Sequence, residues 1–276
     1  MIAVTLCADD YALAPGVDEG ILQLAAQGRI TALSCMSAAP RWPQAAAALR
    51  PFFGRVEIGL HFTLTQLAPL GPMPRLAPDG RFPGMGRLYV RAATGAIDAD
   101  EIEAELARQL RAFVEATGRE PDFLDGHHHV HQLPGLRGIV ARQWNKRPGW
   151  IRNTATSAGS IVSRGVAMPR AAVLALYGRA ARRSWQAAGL ATNADFSGVR
   201  NFDEREPYRA LMQRFLRGAR PGLLIMCHPG RADETLARID KVRAPREGEL
   251  AYLSGPDFPA DLAAAGCRLA RLSAPR

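Results

Sequence analysis

The chain has 276 residues, 47% of them hydrophobic and 22% charged, a balance that excludes general disorder and supplies a buried core. Lys and Arg number 35 against 26 Asp plus Glu, a formal charge of +9, yet the excess is scattered, its tightest group being Arg179, Arg182 and Arg183, so no nucleic-acid partner is expected. No apolar run approaches the ~18 residues of a membrane span, and no basic region precedes the first apolar stretch; a cytoplasmic chain without a membrane span is the expectation.

In chain order, a short apolar strand is predicted over 2–7. A helix then opens at Pro15, carries Val17, Ile21, Leu24 and Ala25 on one face and stops at Gly28. Strands follow over 30–36 and 56–60. From about 66 to 97 comes a loop insertion with Pro69, Pro72, Pro74, Pro78 and Pro83 among Gly71, Gly80, Gly84 and Gly86, in which no regular element is expected. Asp98 with Glu101 three residues on predicts a capped helix with Ile102, Leu106, Leu110, Phe113 and Val114 as its stripe, ending at Gly118. Strands over 123–124 and 150–151 come next. Asp203 and Glu206 stand in capping-box positions ahead of Leu211, Met212 and Phe215. The last strands are predicted over 223–227 and 267–272. Strands alternating with helices predict a parallel sheet, and seven or eight such units in this length fit a (β/α) barrel in a single domain over 1–276. An open doubly wound sheet is the alternative. Cys7, Cys35, Cys227 and Cys267 form no Cys-x-x-Cys pair and are expected to be buried, reduced thiols.

The polar residues with chemistry gather at strand exits. Asp9 and Asp10 follow the first strand, and two adjacent carboxylates there repel unless a cation or proton relieves them. His61 ends the third strand. Asp125-Gly126-His127-His128-His129-Val130-His131 holds four of the six histidines within five residues, a run with little structural use. In extended geometry Asp125, His127, His129 and His131 would share one side and His128 the other. His228, in Cys227-His228-Pro229-Gly230, is the remaining histidine. Imidazole and carboxylate groups brought together from several strand ends suit a divalent cation of the zinc type. With a carboxylate to take a proton and a histidine to give one, such a site hydrolyses amides or esters. The sequence holds no Gly-x-Ser-x-Gly elbow, Walker loop or Gly-x-Gly-x-x-Gly turn after a strand.

Four ordered motifs carry a resemblance over nearly the whole chain: Ala8-Asp9-Asp10-Tyr11 with Pro15-Gly16-Val17, Gly59-Leu60-His61-Phe62-Thr63-Leu64-Thr65, Leu124 to His131, and Cys227-His228-Pro229-Gly230. Together they resemble the YdjC-like carbohydrate deacetylases, which include chitooligosaccharide deacetylases and hopanoid-biosynthesis-associated relatives. The resemblance implies a (β/α) barrel hydrolase that removes acetyl from an N-acetylated amino sugar. It implies one divalent metal, zinc or magnesium among the candidates, held by Asp10, His61 and His127, with Asp9 as general base and His228 as catalytic acid. Tyr11-Ala12 stands where the family usually has Phe-Gly, a departure that leaves the ligand positions intact. His129 and His131 are candidate substrate contacts. So are Phe82 and Tyr89, the only aromatic residues of the Pro/Gly-rich loop, which is expected to wall the site, a solvated excursion being the alternative. A sugar hydrolase or isomerase on the same barrel and metal is the competing enzyme reading, separable by an assay for acetate. A nucleic-acid-binding protein with a vestigial metal site is the reading from another class, and salt-dependent binding to arbitrary DNA or RNA would reveal it. A homo-oligomer is compatible with all of these.

Overall fold

The computed structural model describes residues 1–273. Strand β1 (Ile2–Tyr11) leads into α1 (Pro15–Ala26), β2 (Ala32–Cys35), α2 (Trp42–Ala47) and β3 (Glu57–Phe62). Helices α3 (Met85–Ala93) and α4 (Ala99–Thr117) precede β4 (Phe123–Gly126), α5 (Leu136–Trp144) and β5 (Trp150–Ile151). Next come α6 (Ala158–Arg164), α7 (Met168–Ala187), β6 (Ala191–Thr192), β7 (Asp195–Ser197), α8 (Tyr208–Phe215) and β8 (Leu223–Cys227). The chain finishes through α9 (Glu234–Ile239), α10 (Ala244–Ser254), α11 (Asp257–Ala264) and β9 (Cys267–Leu269). Among the described residues no helix is long and apolar enough to cross a membrane.

All strand pairs are parallel, in the order β6-β5-β4-β3-β2-β1-β8-β7, with β9 added to β1. Written as a ring, that order is consecutive, so every crossover winds the same way. This is the (β/α) barrel; a doubly wound sheet would reverse direction part-way. The ladder is interrupted where β6 runs into β7 through Asn193 and Ala194. Just past the β5–β6 pair, Asn153 and Asn193, both buried, exchange side-chain and backbone hydrogen bonds of 2.7 to 2.9 Å, and Asn193 Nδ2 also donates to the Asp195 carbonyl of β7. Both strands are too short to carry a periodic signal, and the sequence reading had neither.

Two other expectations need correction. The 66–97 segment contains α3, and the rest of it is pinned to α4: Glu101 accepts from the backbone N–H groups of Arg75 and Leu76, and buried Glu105 accepts from that of Leu70. The prolines leave amides without local partners, and two glutamates one helical turn apart supply acceptors. The helix expected from Asp203 begins only at Tyr208, behind an N-cap at Pro207. A residue before proline is turned away from helical geometry, so Glu206 cannot be a third helical position, and Asp203 instead accepts from the backbone and guanidinium of Arg205. The Asp98 cap forms as expected, accepting from Glu101 N–H, and Gly118 closes α4 in the left-handed region at φ 72°. All four cysteines are buried free thiols.

Gly59 in β3 lies against the ring of Phe123, where a Cβ would stand 2.4 Å from the ring atoms. Gly59→Ala should therefore destabilise the chain by about 1–3 kcal/mol, read as a lower denaturation midpoint at unchanged m-value.

Candidate metal centre and active-site cleft

Strand β1 extends through the aspartate pair instead of ending before it, and its register with β2 shifts between Ala8 and Tyr11. Asp10 there has φ 70°. In a regular strand neighbouring side chains point to opposite faces; the bulge breaks that alternation, and Asp9 and Asp10 both line one cleft. Asp10 Oδ1 lies 3.3 Å from His61 Nε2 and 3.0 Å from His127 Nδ1, and all three residues are buried. The other carboxylate oxygen accepts from Arg246 at 2.7 Å. On the far side of the His61 ring, Nδ1 lies 2.6 Å from Asp125 Oδ1, which also accepts from Ser34 at 2.5 Å.

That donor set fits a divalent cation. Two imidazole nitrogens and one carboxylate oxygen lie within 4.8 Å of one another, and the carboxylate behind His61 is the usual orienting partner of a metal-bound histidine. The site keeps its carboxylate ionised and sets His61 between two acids. Burial would raise the Asp10 carboxyl, but Arg246 and His127 hold it well below the usual carboxylate range. Burial would likewise lower His61, but Asp125 and Asp10 lift it to about 10.

Beside the triad, the Arg152 guanidinium, fully buried, grips both oxygens of Asp9 at 2.6 Å and lies 2.6 Å from Asp125 Oδ2. Cys7, Asp9 and Asp125 also cluster closely enough to hold an ion, but Arg152 fills that place and is itself the cation. His228 Nε2 stands 4.0 Å from Asp9 Oδ2, while its backbone N–H donates to Glu249. Burial pulls the His228 imidazole below its ordinary range against the opposing pull of Asp10 and Asp9.

A family model described as YdjC-like protein matches residues 3–264. The chain belongs to the YdjC-like family. It is 30% identical to the chitooligosaccharide deacetylase of Serratia marcescens, with 94% of this chain and 93% of that one covered. Against the enzyme of the same name from Klebsiella pneumoniae (strain 342) the identity is 33%, with 95% and 94% covered. The crystal structure of a candidate cellobiose-phosphate cleavage protein from Enterococcus faecalis V583 matches with a TM-score of 0.79 at 21% identity, over 98% of this chain and 97% of that one, so the fold is shared.

The remaining candidates of this YdjC-like chain divide between cleft and core. The run from His127 to Gln132 is a tight 3₁₀ turn and not extended, because His128 and His129 take left-handed backbone at φ 54° and 58°. That turn puts His127, His128 and His129 on the cleft and sends His131 into the interior, where Nε2 meets the Arg152 carbonyl at 2.8 Å and the ring stacks on Trp185. His131 is thus no substrate contact. Neither is Phe82, which is buried in the main core. Tyr89 does line the cleft, together with Met85 and Gly86 from α3, and its hydroxyl donates to the His128 carbonyl at 3.1 Å. Burial keeps all three remaining imidazoles of the run neutral, lowering His128 to about 2, His131 to about 4, and His129 well below its ordinary range. The cleft has a volume of about 780 Å³, and Val173 and Leu174 of α7 with Phe202 add apolar surface to its lining; this size is that of a small-ligand site. Sequence reading passed over Arg152, Arg246, Ser34, Gln66 and His128. Only His128 stood inside a recognised motif.

Proposed function

We propose that this YdjC-like protein is a metal-dependent carbohydrate deacetylase that hydrolyses the acetamido group of N-acetylated amino sugars or their oligosaccharides to acetate and a free amine. The observation that carries the reading is the convergence of Asp10, His61 and His127 at the floor of a cleft, with Asp9 and His228 side by side next to them. The chitooligosaccharide deacetylases similar over almost the full length point to the same chemistry. Asp10, His61 and His127 would hold the cation, which when bound supplies Lewis acidity to an amide carbonyl and to water.

The chain's own groups handle the protons. Asp9, its plane fixed by the two-pronged Arg152 contact, takes a proton from the attacking water. His228 Nε2, 4.0 Å from Asp9 Oδ2, is placed to receive that proton and deliver it to the amide nitrogen as the C–N bond breaks. A buried, neutral imidazole suits this relay, because it accepts a proton only when Asp9 offers one and releases it readily. Tyr89, Met85 and Phe202 present flat or apolar surface for a sugar ring.

The test is a screen of N-acetylglucosamine oligomers for acetate and primary amine, using chelated and metal-restored protein. Acetate and amine should appear in equal amounts, vanish on chelation and return with a divalent ion. Folded, metal-loaded protein that releases no acetate from any N-acetylated sugar would overturn the proposal and favour another bond.

A further inference from the structure

We infer that Gln66 is a positioning residue that selects Nδ1 of His127 as its metal-binding nitrogen, by holding the ring proton on Nε2. The inference rests on the metal site proposed above. A neutral imidazole binds a cation through one nitrogen, and the bond made by the other decides which. For His61 that second bond goes to Asp125. For His127 it goes to Gln66: His127 Nε2 lies 2.7 Å from Gln66 Oε1, while Nδ1 faces Asp10 Oδ1 at 3.0 Å.

The two ends of the Gln66 amide are told apart by their partners. Its Nε2 lies 2.6 Å from the Ile239 carbonyl oxygen, which can only accept, so the NH₂ end is there and the oxygen faces His127. Since that oxygen also can only accept, His127 Nε2 must carry the proton. A neutral ring has one such proton, so Nδ1 is left as a bare lone pair. Once His61 gives up its second proton, as a metal ligand must, Asp125 accepts from its Nδ1, both imidazoles turn unprotonated nitrogens towards Asp10 Oδ1, and three acceptors converge on one point. Only a cation satisfies all three.

The backbone supports the assignment. Gln66 stands at φ 70°, a left-handed conformation uncommon outside glycine, directly after the stretch that carries His61. From there its side chain bridges the His127 turn and the end of α9. A bystander at the start of a loop would have no need of that bridge.

The experiment titrates Zn²⁺ alone into chelated wild-type, Gln66→Leu and Gln66→Glu proteins, and reads the histidine nitrogens of zinc-loaded protein by ¹⁵N NMR. Wild-type protein should show His127 with a protonated Nε2 and a zinc-shifted Nδ1. Gln66→Leu should weaken zinc binding about 10–100-fold, the range for lost orienting partners. Gln66→Glu, which keeps an acceptor but loses the donor to Ile239, should stay within about threefold of wild type. Three outcomes would overturn the inference: zinc on Nε2 of wild-type His127, equal affinity in Gln66→Leu and wild type, or equal losses in Gln66→Leu and Gln66→Glu, the last reducing Gln66 to a loop anchor. The NMR reading needs no variant, so it decides even if Gln66→Leu fails to fold. Wild-type protein that binds no zinc would instead strike the metal site itself.

Discussion

Replacing Arg152 with methionine is expected to destabilise the folded chain by about 3–5 kcal/mol, the range for removing one partner of a buried ion pair. The guanidinium is fully buried between two carboxylates, also buried, Asp9 and Asp125, and its Nη2 additionally lies 2.9 Å from Cys7 Sγ. Methionine restores much of the volume but none of the charge, so two carboxylates are left facing each other in a water-poor interior. They must then take up protons or move apart. Asp125 is held well below the ordinary carboxylate range in spite of its burial by Arg152 and His61; without Arg152 its range should rise towards neutrality. A buried carboxyl pushed up in the folded variant costs stability above its unfolded pKa, and that cost disappears as pH falls through the raised range to the unfolded value. The deficit of Arg152→Met should therefore be largest near neutral pH and shrink in acid. Urea unfolding at pH 7 and pH 4 measures it, and an equal deficit at both would remove electrostatics as the cause.

Asp9→Asn should leave zinc content unchanged and lower kcat by about 10²–10⁴-fold, the usual contribution of a positioned general base. The two aspartates are neighbours in sequence yet occupy different surroundings. Asp10 faces both imidazoles, whereas Asp9 faces Arg152 and His228. An asparagine at position 9 keeps one oxygen for Arg152 and turns an NH₂ towards it, so some loss of stability accompanies the change. Metal analysis after dialysis and single-turnover acetate release separate the two effects. Loss of zinc together with turnover would reverse the roles of Asp9 and Asp10.

The convergence of Asp10, His61 and His127 was legible before any tertiary information, because these residues follow apolar strand segments, and the ends of parallel strands converge by construction. Asp10, His61 and His127 needed only that rule and the motif pattern. Phe82 and His131 were misplaced for a shared reason: an aromatic ring or a histidine near a site reads identically in sequence whether it faces ligand or core. Two left-handed residues decided it for His131, and burial within the main core cluster decided it for Phe82.

What the sequence determined by itself was local or periodic: the run of alternating elements, the Asp98 cap, the Gly118 stop and the histidine-bearing strand exits. The tertiary structure alone decided which charge meets which. Arg152 stands two residues after Trp150 with nothing nearby to mark it, and it reaches Asp9, 143 positions away, because both strands deliver their ends into one barrel mouth. The role inferred for Gln66 depends on His127 and Ile239, 61 and 173 positions away in sequence. Such partners are set by strand order and register across the whole sheet, and no window of consecutive residues contains that information.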